Sequence, residues 1–167
     1  MAKFVIRKST ITGRGIFATE MIPRGKIIFI MKGRIIYSEV HTKRDAMLCP
    51  HRVGIGKNLW MEPDMKCVRY INHSCRPNAG IKGRVTFVAL RDIKKGEEIT
   101  FDYSISEDSE WTLRCSCGEE NCRGIIRGIR YLPRKVFVSY LPFIPKYFQR
   151  VYYRASHLSP LGRIKVA

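Results

Sequence analysis

Apolar residues in the front half of this chain come in short runs, each closed off by glycine or proline. Phe4-Val5-Ile6 is the first. The turn Thr12-Gly13-Arg14-Gly15 leads into Ile16-Phe17-Ala18, Pro23-Arg24-Gly25-Lys26 into Ile27-Ile28-Phe29-Ile30, and Lys32-Gly33-Arg34 into Ile35-Ile36-Tyr37. Further on, Val85 to Leu90 reads as a strand, and Lys94-Lys95-Gly96-Glu97 is a turn feeding Ile99-Thr100-Phe101. Short runs at this spacing predict a mainly β domain of small sheets with short helices. One early helix is expected over Glu39 to Leu48.

The end of the chain is patterned differently. From Pro133 onward, Val136, Tyr140, Phe143, Tyr147 and Val151 recur at helical spacing, and Pro142 and Pro145 interrupt them. Two short helices joined near Leu141-Pro142 are expected. Their apolar content is too high to leave exposed, which favours packing back on the domain over an amphipathic pair that docks elsewhere.

Charge is split along the chain. All 14 acidic residues and 21 of the 31 basic ones lie before Arg123, a net +7; the remaining 45 residues carry ten basic residues and no acid, a net +10. Such a field favours nucleic acid, an anionic membrane surface or an acidic protein face, unless it only solubilises a basic protein. No run of 18 apolar residues is present, which argues against a membrane-spanning helix. Residues 1–7 lack the apolar core of an export signal. A cytoplasmic protein is therefore expected, with nuclear or nucleoid association as the variant that the charge suggests.

The 167 residues suit one domain with an appendage. Of the six cysteines, Cys115, Cys117 and Cys122 fall within eight residues, as Cys-Ser-Cys-Gly-Glu-Glu-Asn-Cys. Cysteines separated by one residue rarely bridge each other. Thiolates so clustered, in a chain with no export signal, read better as metal ligands. Cys49 and Cys67 read as core thiols.

Three segments concentrate chemistry. In Gly13-Arg14-Gly15, two glycines let backbone approach a ligand closely, although a tight turn explains them equally. Arg69-Tyr70-Ile71-Asn72-His73-Ser74-Cys75-Arg76-Pro77-Asn78 is dense in hydrogen-bonding groups. It reads either as a polar turn with a buried histidine or as a Cys75–His73 nucleophilic pair, and the pair would need a special bend. In Gly96-Glu97-Glu98-Ile99-Thr100-Phe101-Asp102-Tyr103, alternation puts Phe101 and Tyr103 on one face.

Asn-His-Ser-Cys, then Gly-Glu-Glu-Ile-Thr-Phe-Asp-Tyr, then Cys-x-Cys-x4-Cys, in that order, resembles the SET-domain protein-lysine methyltransferases with a post-SET zinc segment. The resemblance covers about residues 4 to 126 and includes the Gly13-Arg14-Gly15 turn. It implies a SET fold of small curved sheets with a pseudoknot over residues 1–104, a post-SET zinc segment over 105–126 and a basic extension over 127–167. It further implies methyl transfer from S-adenosylmethionine to a lysine side chain of a protein substrate. Gly13, Arg14, Gly15, Arg69, Asn72 and His73 would bind the cofactor, with His73 divided between that role and tying the pseudoknot. Tyr103 would be the catalytic tyrosine. Phe101 would set the degree of methylation, its lack of a hydroxyl favouring di- or trimethylation. Cys75 would join Cys115, Cys117 and Cys122 on zinc. Where many members carry an aromatic two residues before the glycine matching Gly33, this chain has Met31, so Tyr70 or Trp111 would line the lysine channel instead. The acidic stretch Glu107-Asp108-Ser109-Glu110 would receive a basic peptide (histone-like, DNA-associated or ribosomal) or stand as a solvated loop. The competing readings are a SET-derived module that has lost catalysis and docks on nucleic acid through its basic tail, and a zinc-ribbon nucleic-acid binder, which the cysteine spacing fits poorly.

Overall fold

The computed structural model describes residues 2–38 and 51–158. The helix expected over Glu39 to Leu48, and Cys49, lie outside the described residues. Among the described residues, twelve short strands carry the fold: β1 Phe4–Lys8, β2 Arg14–Ala18, β3 Ile27–Ile30, β4 Gly33–Tyr37, β5 Val53–Gly56, β6 Leu59–Pro63, β7 Asn72–His73, β8 Ala79–Lys82, β9 Thr86–Ala89, β10 Glu98–Phe101, β11 Thr112–Arg114 and β12 Ile125–Arg127. They form three sheets: β1-β2-β10-β8-β9-β3 with β7 added beside β10, the trio β4-β6-β5, and the β11-β12 ribbon. The mainly β expectation holds, and the apolar runs of the sequence are these strands.

The strands are short because the chain turns whenever a glycine or proline permits it, so each contributes only a few inward side chains. Ile16, Ile28, Phe29, Ile81, Phe87 and Ile99 from the large sheet are fully buried. Phe29 stacks on Phe87 with ring centroids 4.7 Å apart, and Phe87 meets the edge of Phe101 at 5.3 Å. Such aromatic contacts contribute beyond their buried area.

Both expected C-terminal helices are present, Arg134–Tyr140 and Lys146–Leu158, and they pack on the domain. Phe137, Tyr140, Ile144, Phe148 and Tyr152 are buried. The connection between the helices reaches the large sheet, where Ile81 donates its amide to the Phe143 carbonyl at 2.8 Å. No helix among the described residues is long and apolar enough to cross a membrane.

Gly80 makes this docking possible. A Cβ there would lie 2.8 Å from both Leu90 Cδ2 and Phe143 Cβ, and 3.0 Å from the Phe143 carbonyl oxygen. Gly80→Ala should lower unfolding free energy by about 1–3 kcal/mol, the usual range for overpacking. Urea unfolding followed by circular dichroism checks it; unaltered stability would show that the connection is not seated on β8.

Candidate active site and metal centre

The chemistry expected from the sequence collects where β10 ends. Asn72 and His73 run parallel to β10, opposite Thr100 and Phe101, and Phe101 also pairs with Ala79 of β8. Residues 74–78 must therefore loop past the end of β10. Asn78, 1% exposed, repairs the interrupted ladder. Its Nδ2 donates to the Glu98 carbonyl at 2.7 Å and to Glu97 Oε1 at 3.0 Å, and its Oδ1 accepts the Thr100 amide at 2.9 Å. A side-chain amide carries the same donor and acceptor as a peptide, so it substitutes for one.

Asn72 performs a similar task toward the glycine turn. Its Nδ2 donates to the carbonyls of Thr12 at 3.3 Å and Arg14 at 3.1 Å, and to Glu98 Oε1 at 2.7 Å. Glu98 Oε2 accepts from the Ser9 hydroxyl at 2.8 Å. Gly13 has φ +49°, and a Cβ on buried Gly15 would run into the Glu98 carboxylate. Here glycine is required by close approach as much as by conformation. Arg14 is exposed and its guanidinium sits 5.3 Å from the centre of the Tyr70 ring. Arg69 is also exposed; its charge acts on Glu62 and His51.

Tyr103 follows β10 and is held at both ends. Its hydroxyl donates to the Ile71 carbonyl at 2.8 Å, and its amide donates to His73 Nδ1 at 3.2 Å. Its ring centroid lies 5.0 Å from that of Phe101, as the shared face predicts. Burial pushes the Tyr103 hydroxyl up to about 12. Burial likewise pushes His73 down to about 4, against the pull of Asp102. The 3.6 Å approach of His73 Nδ1 to Asp102 Oδ1 is thus no ion pair near neutral pH.

The bend that would let His73 meet Cys75 exists. The strand stops at His73, the chain turns through Cys75-Arg76, and His73 Nε2 comes 3.4 Å from Cys75 Sγ. Because Nδ1 accepts the Tyr103 amide, the ring proton belongs on Nε2. This tautomer follows from the bonding pattern. A histidine so protonated donates to the sulfur and cannot act as its base, which removes the nucleophilic-pair reading.

Cys75, Cys115, Cys117 and Cys122 converge from two distant stretches, with all four sulfurs within 4.8 Å of one another. Cys75 Sγ and Cys115 Sγ are 3.8 Å apart. A tetrahedral zinc with bonds of about 2.3 Å sets sulfur–sulfur edges of about 3.8 Å. The donor set also fits, since Cys75 Sγ faces two N–H groups, from His73 and from the Arg123 amide at 3.4 Å. Such donors stabilise a thiolate and orient it as outer-shell partners do. The four cysteines could hold a metal such as zinc. Cys67 is half-buried against the core, apart from this cluster.

One element of the site was not anticipated. Asp102 is fully buried, and its carboxylate accepts Arg123 NH1 at 2.6 Å and NH2 at 2.8 Å, the Ser104 amide at 3.0 Å and the Tyr140 hydroxyl at 3.2 Å. Tyr140 also donates to the Cys75 carbonyl at 3.3 Å. Burial alone would lower the Arg123 pKa; the Asp102 carboxylate more than reverses this. Asp102 and Arg123 sit beside Tyr103 and Cys122 in the sequence, but no spacing pairs them with each other or with Tyr140.

The acidic stretch is held by the extension. Tyr147 donates to Asp108, Tyr131 donates to Glu110 at 2.6 Å, and Ser109 donates its amide to Glu107 at 2.8 Å. Trp111 is half-buried next to it, and Met31 is buried in the core at 2% exposure. The structure thus brings together Gly13, Arg14, Gly15 and Asn72 around one turn, His73, Phe101 and Tyr103 around one crossing, and the four cysteines in one cluster. Ser116 joins the first and last groups, its hydroxyl donating to the Ile11 carbonyl at 3.3 Å.

Comparison with known proteins agrees with this geometry. The SET domain family matches residues 13–104. Histone-lysine N-methyltransferase trithorax of Drosophila virilis is 34% identical over 130 residues, covering 70% of this chain and 3% of that protein. The human Histone-lysine N-methyltransferase 2B is 33% identical over 135 residues, covering 71% of this chain and 5% of that protein. The chain therefore spans a small fraction of the length of these relatives. A crystal structure of KRYPTONITE in complex with mCHG DNA and SAH superimposes with a TM-score of 0.61 at 24% identity, covering 75% of this chain and 29% of that one, which supports the fold. With more than half of its length matched and the strand crossing in place, this chain belongs to the SET-domain family.

Proposed function

We propose that the chain transfers methyl groups from S-adenosylmethionine to lysine side chains of a protein. The observation that carries this is the position of Tyr103, half-buried at the crossing, flanked by Phe101 and His73 and anchored on the Ile71 carbonyl. Relatives named histone-lysine N-methyltransferase and a structural neighbour solved with SAH support it.

S-adenosylmethionine supplies a methyl on a positively charged sulfur, ready for in-line displacement. The chain's own residues do the rest. The turn of Gly13, Arg14 and Gly15, pinned by Asn72, offers backbone groups at close range, and Arg14 and Arg69 offer cations for a carboxylate. His73 serves this site as a tie between strands rather than as a proton carrier. The Tyr103 hydroxyl orients the incoming amine, and most of the acceleration comes from alignment. The aromatic wall of Phe101 and Tyr103 disfavours the ammonium form of the lysine.

Cys75, Cys115, Cys117 and Cys122 would hold zinc, and their shared ion would fasten residues 115–122 to the crossing. The exposed cations Arg127, Arg130, Arg134, Lys135, Lys146, Arg150 and Arg154 of the extension suit a setting near nucleic acid, in chromatin or a nucleoid, where basic protein substrates lie. The intact Tyr103 crossing and the complete cysteine set favour an enzyme over an inactive docking module.

Labelled S-adenosylmethionine with histone-derived and other basic peptides tests the assignment. Tyr103→Phe should reduce kcat on the order of 100-fold, the loss expected from a misaligned reacting group; an undiminished rate would remove Tyr103 from the reaction. The wild-type rate should climb from about pH 7 to about pH 9 as the substrate amine loses its proton from an ordinary pKa near 10.4. Because burial favours the protonated phenol of Tyr103, that group should not titrate in this window.

Phe101→Tyr should shift products toward monomethyl-lysine, since a hydroxyl beside Tyr103 takes the space of a further methyl. Mass spectra with the same product distribution for both proteins would refute the role. Metal analysis should find about one zinc per chain, reduced in Cys117→Ser; active protein free of zinc would sink the metal assignment.

A further inference from the structure

Besides the His73 bridge, a second polar connection joins the four-cysteine cluster to Tyr103. Cys122 is followed directly by Arg123. The Arg123 amide donates to Cys75 Sγ at 3.4 Å, and its guanidinium grips Asp102 through two bonds of 2.6 and 2.8 Å. Asp102 immediately precedes Tyr103 and accepts the Ser104 amide at 3.0 Å. Tyr140, at the end of the helix Arg134–Tyr140, touches both halves, donating to the Cys75 carbonyl and to Asp102 Oδ2.

Burial makes this connection stringent. Asp102 is 0% exposed and the Arg123 side chain 16%. A buried carboxylate that loses its cation is strongly destabilising, so the two groups move together or the region opens. A bidentate guanidinium–carboxylate pair also fixes direction, which a flexible ammonium would not.

We infer that Asp102 and Arg123 are positioning residues that link occupancy of the four-cysteine cluster to the placement of Tyr103, with Tyr140 bracing both. The zinc assignment and the role of Tyr103 in methyl transfer are those proposed above. A cation on Cys75 and Cys122 fixes the backbone of Arg123, Arg123 holds Asp102, and Asp102 sets the start of the turn that presents Tyr103. By linkage, disturbing Asp102 must loosen the metal, although Asp102 touches none of the four sulfurs.

The test uses the metal-loaded 167-residue chain and two readouts independent of activity. One is the rate of zinc release to a chelating dye. The other is hydrogen exchange of residues 100–106, which include the Tyr103 amide bonded to His73. Asp102→Asn should release zinc about 10-fold faster, within the usual range of coupling between sites, and should exchange faster over 100–106. Tyr140→Phe should shift both readouts in the same direction by less, and it decides the matter if Asp102→Asn does not fold. Stripping zinc from the wild type should accelerate exchange over 100–106. In methyl transfer, Arg123→Lys should lower kcat while the cofactor KM stays within about twofold.

Unchanged zinc release and exchange in the folded variants would overturn the linkage, as would unchanged exchange on zinc removal. If zinc release and exchange respond but the wild type transfers no methyl group, the linkage stands and the methyltransferase reading falls.

Discussion

A carboxylate with no access to water organises this molecule. Asp102 sits in the interior with Arg123 across from it, and both the main chain of Ser104 and the hydroxyl of Tyr140 complete its shell. Desolvating an acid in this way is tolerated only when its partners are all delivered together. They come from three regions far apart in sequence: the end of β10, the residue after the last clustered cysteine, and the first C-terminal helix. Satisfying one acid therefore requires the strand crossing, the cysteine segment and the extension to be in place at once. The extension is in this sense part of the site's foundation, which also accounts for its packing through Gly80 and Phe143.

Around that centre, side-chain amides do what sheet hydrogen bonds cannot. Strands only two to five residues long leave many peptide groups without ladder partners, and buried peptide groups need partners. Asn78 supplies them along β10, and Asn72 supplies them to the turn at 12–14. The crossing of the chain beside β10 is stabilised by these two amides together with the aromatic cluster of Phe87, Phe101 and Tyr103. The result is an aromatic cluster with one oriented hydroxyl. Such a cluster suits a reaction needing a neutral amine and exact alignment more than proton transfer.

Much of the scaffold was legible from sequence because it rests on repeated signals. Runs such as Ile27–Ile30, bounded by glycine and proline, became strands, and the spaced aromatics after Pro133 became packed helices. The cysteine cluster was legible in part: Cys115, Cys117 and Cys122 announce themselves by spacing, whereas Cys75 is identified by family resemblance and then by its 3.8 Å approach to Cys115. Asp102, Arg123 and Tyr140 were not legible. Each is a single polar residue whose meaning lies in a contact across tens of residues, and no periodicity encodes such a contact. The contacts of Glu98 and Asn78 were hidden for the same reason. The acidic loop misled differently, since its composition suggested open carboxylates, while Tyr131 and Tyr147 occupy two of them.

The proposal with the widest consequences is that the turn at 12–15, pinned by Asn72, binds the cofactor. Isothermal calorimetry of the metal-loaded chain with S-adenosylhomocysteine tests it without needing the protein substrate. The account predicts saturable binding of about one molecule per chain, weakened when Asn72 is replaced by Ala, because the unpinned turn must then be ordered at the expense of affinity. No detectable binding by a folded, zinc-containing chain would contradict it.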